Sequence, residues 1–85
     1  MAESKPIDRP FTDEIMSHAG EIARTYRYDV RREDGEWIGS TRELPLVFGD
    51  GETADDCSRS AIEATTIVIA TLLEQGETPP EPSPR

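Results

Sequence analysis

The sequence predicts an α+β domain: a three-stranded antiparallel sheet packed by one long helix, with an extra helix on its N-terminal side. Three features lead there. Apolar residues recur at helical spacing up to Ala23 and at strand spacing from Tyr26. Asp34-Gly35 interrupts the strand pattern with a hairpin turn signal. The segment from Thr53 to Gly76 is again apolar at helical spacing, with a capping residue before it and a stop after it.

Residues 1–11 are charged, carry Pro6 and Pro10, and read as a flexible lead. Thr12 can cap a helix, and Asp13 and Glu14 suit its first turn. Ile15, Met16, Ala19, Ile22 and Ala23 then share one side, which predicts a helix over 12–24. Tyr26, Tyr28 and Val30 alternate with Arg27, Asp29 and Arg31, the pattern of a half-buried strand. The return strand runs over 37–42. A two-residue loop at Asp34-Gly35 pairs Val30 with Gly39, Tyr28 with Thr41 and Arg32 with Trp37. Cross-strand partners share a face. The covered side therefore holds Tyr26, Tyr28, Val30, Trp37 and Gly39, where the glycine admits close backbone approach. The second side holds Arg27, Asp29, Arg31, Ile38, Ser40 and Arg42, with Ile38 its one large apolar residue. Leu46-Val47-Phe48 reads as a short third strand.

Thr53 is the cap of the long helix, with Asp55 and Asp56 at its positive end. Cys57, Ala61, Ala64, Val68 and Leu72 form a stripe that Ile62, Ile69 and Leu73 broaden to about half the circumference. That arc is wider than one sheet face covers, so a homodimer or higher oligomer is expected. The run from Thr65 to Ile69 is β-branched and alone would favour a strand, but length, capping and alanine spacing favour helix. Gly76 ends it. The domain spans 12–78, and residues 79–85 form a proline-rich tail. The first tail residues are candidates for an added edge strand, and the rest reads as loose.

The 85 residues make room for one domain, and a chain of this size buries only about 60% of its unfolded surface, which favours association. The net charge is −9, and residues 50–85 hold eight acids against two bases. Such a balance opposes direct nucleic-acid binding and favours a basic partner. Cys57 is the single cysteine, so an internal disulfide is excluded, and it reads as a small buried side chain. No apolar run is long enough to span a membrane and no secretory leader is visible. A cytoplasmic location is the expectation.

No residue set points to catalysis, a metal or a cofactor. Asp50, Glu52, Asp55 and Asp56 are close in sequence but lack calcium-loop spacing, and capping and solubility account for them. His18 is the only histidine and lies off the apolar stripe of its helix. Ser40, Ser58 and Ser60 have no histidine base nearby in sequence, and Gly49-x-Gly51 is too short to cradle a phosphate. Arg27, Arg31, Arg32 and Arg42 suggest a basic strip on the second sheet side, interleaved with acids. Asp29 is the one strand carboxylate, too little for a nuclease.

Leu44-Pro45, then Gly51-Glu52-Thr53 opening a helix, then Gly76 with Pro80-Glu81-Pro82-Ser83, in this order after a hairpin, resembles the HicB family of antitoxins. The resemblance covers roughly residues 25 to 83. Leu46 departs from it, because the family usually has glycine after the Leu-Pro step. The resemblance implies a partial ribonuclease H-like fold without catalysis. It further implies binding and occlusion of a small basic HicA-type toxin that cleaves mRNA. Many relatives add a C-terminal DNA-binding domain; this chain ends at Arg85, so autorepression is not carried over. The alternative is an orphan binding module of the same fold, without a toxin. For partner binding the candidates are Ile38 as an apolar anchor and Asp50, Glu52, Asp55 and Asp56 as the steering charge.

Overall fold

A computed structural model describes residues 11–82. The expected lead, apart from Phe11, and the end of the tail from Ser83 lie outside the described residues. The chain is α+β, in the order α1 (Asp13–Ala23), β1 (Tyr28–Glu33), β2 (Glu36–Thr41), β3 (Leu44–Gly51) and α2 (Ala54–Glu74). The sheet is antiparallel with β2 in the centre. Phe11 packs against the core beside α1.

Local chemistry sets the element ends. The Thr12 hydroxyl accepts the Ile15 N–H at 3.1 Å, and the Thr53 hydroxyl accepts the Asp56 N–H at 3.0 Å, which starts α1 and α2. Asp34 and Gly35 both take positive φ, as a type I′ turn requires. The resulting register pairs Tyr28 with Thr41, Val30 with Gly39 and Arg32 with Trp37, as the turn predicts. At the end of α2, Gly76 adopts φ +78; its N–H reaches the Leu73 carbonyl, and the Glu77 N–H reaches that of Leu72. Within α2, Thr66 and Thr71 donate their hydroxyls to the carbonyls four residues earlier. Thr66 of the β-branched run thus satisfies its hydroxyl inside the helix.

Several expectations shift. β1 starts at Tyr28, because Thr25 and Tyr26 give their N–H groups to Ile22 and Ala23 in the turn leaving α1. Tyr26 is buried all the same. The third strand is not the short 46–48 but runs from Leu44 to Gly51. Its pairing with β2 slips between Ser40 and Thr41: Ser40 lies opposite Phe48, and Thr41 opposite Leu44. Residues 45–47 bulge out of register as a result, around Pro45, which has no N–H to give.

The extra helix packs on α2. Ala19 and Ala23 of α1 meet Ile69 and Ala70 of α2, with Tyr26 completing the cluster. The broad apolar arc of α2 therefore has two covers inside one chain, the sheet and α1. The fully buried α2 residues are Cys57, Ala61, Thr65, Thr66, Ile69 and Ala70. The expected stripe members Ala64, Val68 and Leu72 are only half-buried. The described part of the tail adds no strand. Residues 78–82 instead lie along α1 beside His18, Glu21 and Ile22, held by the Tyr26 hydroxyl, which donates to the Pro80 carbonyl.

Candidate protein-docking surface

Strand parity and the covering helix decide which side chains remain available. On the covered side, β2 and β3 present glycines to α2. A Cβ at Gly49 would stand 2.3 Å from the Ala61 nitrogen, and one at Gly51 would stand 2.7 Å from the Cys57 nitrogen. At Gly39 the close neighbour is the Cys57 sulfur, 3.0 Å from a built Cβ. The backbone approach expected at Gly39 thus occurs at the two glycines of β3, while Gly39 receives the thiol. Cys57 is fully buried, points at the Gly49 carbonyl, and burial pushes its thiol up, with the Asp50 charge adding to the shift.

The other side of the sheet has no cover among the described residues. Across β1, β2 and β3 its rows read Asp29, Ser40, Phe48 and Arg31, Ile38, Asp50, followed by Glu33 and Glu36 at the hairpin end. Phe48 is 63% exposed, and Leu46, on the bulge, is 89% exposed. A shallow groove lies between Arg31, Glu33, Ile38, Ser40, Pro45 and Phe48. Ile38 is half-buried on this face, so the sequence located it correctly. It is not the one large apolar residue there: Phe48 joins it. The signal for Phe48 was present. Gly49 and Gly51 alternate in step with Gly39, which extends the strand and sends Phe48 and Asp50 to the opposite side.

The candidate acids divide into two groups. Asp50 lies in β3, across from Ile38 on the open face, with its N–H 3.4 Å from the Ser60 hydroxyl. Glu52, Asp55 and Asp56 sit exposed at the corner where β3 turns into α2. Asp56 is 3.3 Å from the Arg59 guanidinium, an exposed pair of small energetic weight. An apolar side chain and an acidic corner are therefore continuous through Asp50.

The basic strip does not form. Arg32 has covered-side parity and stacks over Trp37, 5.9 Å from the ring centre. Arg31 is on the open side but pairs with Glu33 at 2.7 Å. Trp37 itself is half-buried, with the Arg32 guanidinium over its ring. Asp29 and Asp50 share the open face from opposite edges, two strand spacings across and one row along, or about 12 Å apart. Among the described residues no three His, Cys, Asp or Glu side chains converge as a metal ion would need. His18 is exposed on α1 beside the tail.

A polar cluster closes the opposite end of the covered side. The Tyr28 hydroxyl donates to the Ala23 carbonyl at 2.8 Å, and Thr41 reaches both the Arg27 carbonyl and the Glu43 carboxylate. Burial raises the Tyr26 and Tyr28 phenols, and the charge of Glu43 adds to both shifts. Thr65 is close enough to restrain the Tyr28 shift, though its buried hydroxyl meets no partner in full hydrogen-bond geometry. These groups tie α1, the sheet and the tail together.

No helix among the described residues is long and apolar enough to cross a membrane. Comparison with family models, with curated proteins and with solved structures finds no match to this chain.

Proposed function

We propose that this chain is a non-catalytic, antitoxin-type protein that binds and occludes a small basic partner in the cytoplasm. The class of partner we propose is a HicA-type toxin that cleaves mRNA. One observation carries the reading: Ile38 and Phe48 lie on an uncovered sheet face that runs through Asp50 into the corner of Glu52, Asp55 and Asp56. Apolar side chains on such a face supply affinity, and neighbouring charge of one sign steers encounter with the opposite sign. The ordered resemblance through Leu44-Pro45, Gly51-Glu52-Thr53 and Gly76 supplies the class of partner.

The test is co-expression with a short basic protein encoded beside this chain, followed by binding kinetics. The antitoxin reading expects RNA cleavage by that protein to stop when this chain is present. Reversing the charge of Glu52 and Asp55 together lowers the association rate, and added salt does the same. Ile38→Asp raises the dissociation rate. Binding without relief of RNA cleavage would reduce the function to a protein-binding module of the same fold. Rates indifferent to salt and to all these substitutions would place the docking surface elsewhere.

A further inference from the structure

The centre of the core is made mostly of small side chains. Among the described residues the buried apolar ones are alanines, Cys57, Tyr26 and Ile69, and larger side chains such as Phe11, Met16 and Leu44 pack against them only partly buried. Meanwhile Phe48 and Leu46 stand in solvent on the other face. A chain this short, with its aromatic surface outside, gains stability by covering that surface.

We infer that the open sheet face is closed by a second copy of this chain, stacked sheet on sheet about a two-fold axis along β2. A two-fold interface must be complementary to itself. The row of Arg31, Ile38 and Asp50 meets that condition, with a cation at the β1 edge, an apolar centre and an anion at the β3 edge. Rotation about β2 exchanges the two edges. It sets Arg31 against Asp50 of the second copy, twice, and Ile38 against Ile38. Phe48 lies one row from Asp50, so the axis sets it against Asp29 of the second copy, with the aliphatic stem of the opposing Arg31 alongside; covering that carboxylate works against the dimer. Pairing along a strand edge is the weaker alternative. The β3 edge is broken by its bulge and Pro45, and β1 carries Asp29, Arg31, Arg32 and Glu33. The same axis opposes Glu36 to its own copy, so that residue works against the dimer. Ile38 and Asp50 also belong to the partner surface proposed above. On that reading, the second copy and the partner exclude one another.

The experiment is sedimentation equilibrium of the full chain at tens of micromolar, with circular dichroism as the check on folding. The wild type is expected to be a dimer. Arg31→Asp and Asp50→Arg each weaken it about tenfold or more, the scale of a close interfacial charge pair. The double variant, with the charges exchanged, regains it. Ile38→Asp gives a folded monomer, and Glu36→Gln tightens the dimer. A monomeric wild type, a dimer unmoved by either single reversal, or a double variant no better than the singles overturns the inference. Partner binding is read separately by the rates described above. A wild type that is monomeric yet binds the partner sinks this inference alone, and a wild-type dimer that responds to the reversals but binds no partner sinks the partner reading alone.

Discussion

The two faces of this sheet are built from the same three strands and are filled in opposite ways. The face under α2 holds Gly39, Gly49 and Gly51, and the face turned to solvent holds Ile38 and Phe48. The common pattern puts large apolar side chains beneath the helix. Here α2 comes so close that its backbone at Cys57 and Ala61 nearly touches the backbone of β3, and nothing larger than hydrogen fits between them. Close approach on one side and aromatic exposure on the other are therefore consequences of one choice, the glycine parity of β3. The contrast teaches that covering a sheet need not mean filling the space above it.

The largest expected effect tests that closeness. Gly49→Val forces a Cβ into a position 2.3 Å from the Ala61 nitrogen, a backbone atom that cannot rotate away. α2 has to lift off β3, and the cost is about 3 kcal/mol or more, at or beyond the upper end for overpacked cores. Gly51→Ala, with its nearest contact at 2.7 Å, costs less, about 1–3 kcal/mol. Urea denaturation measures both. A Gly49→Val protein as stable as the wild type would mean that the helix is not seated on the strand, and the contrast between the faces would dissolve.

A smaller effect sharpens the covered side. Tyr26→Phe removes the hydrogen bond to Pro80 and costs about 1 kcal/mol. It also frees the tail, so limited proteolysis after Glu77 should speed up. The phenols of Tyr26 and Tyr28 are both raised by burial, so the fold favours their neutral forms. Their contribution to stability is whole below the ordinary phenol value of 10.0 and is lost as pH climbs above it toward the raised folded values. Melting temperature against pH should fall above that point, and the fall should be shallower in Tyr26→Phe. A melting curve flat to higher alkalinity would show that the phenols are not buried in solution.

Trp37 shows where sequence reasoning stops. The hairpin register was legible because Asp34-Gly35 permits one turn type, and every predicted pair from Tyr28 to Arg32 is found. Parity then put Trp37 on the covered side, but parity does not say how fully the helix covers a side chain there. Trp37 stays half-buried, with Arg32 over its ring. Trp37→Ala is accordingly expected to cost about 1–2 kcal/mol, below the 3–5 kcal/mol of a fully buried aromatic. The broad arc of α2 was equally legible, but a helical pattern does not name what covers it. α1 lies against that arc through Ala19 and Ala23. Exposed apolar surface remains on the open sheet face, and the case for self-association moves there. Of the site, Ile38 was visible in the alternation of β2, while Phe48 was missed because the third strand was drawn too short to include the glycines that fix its parity.

The smallest expected effect completes the comparison, because it concerns the residue next to the one with the largest. Phe48 adjoins Gly49 in β3 but points the other way and is 63% exposed. Replacing it with threonine puts a β-branched side chain, equally suited to a strand, in place of the aromatic ring. If the ring contributes nothing to the fold of one chain, the change stays within about 0.5 kcal/mol when stability is measured at high dilution. At tens of micromolar the two proteins should diverge, with the wild type gaining stability as concentration rises and Phe48→Thr gaining less. A loss of several kcal/mol that does not depend on concentration would show that Phe48 belongs to the core of the single chain. The open face would then be an ordinary half-covered sheet surface, with no docking role for its aromatic side chain.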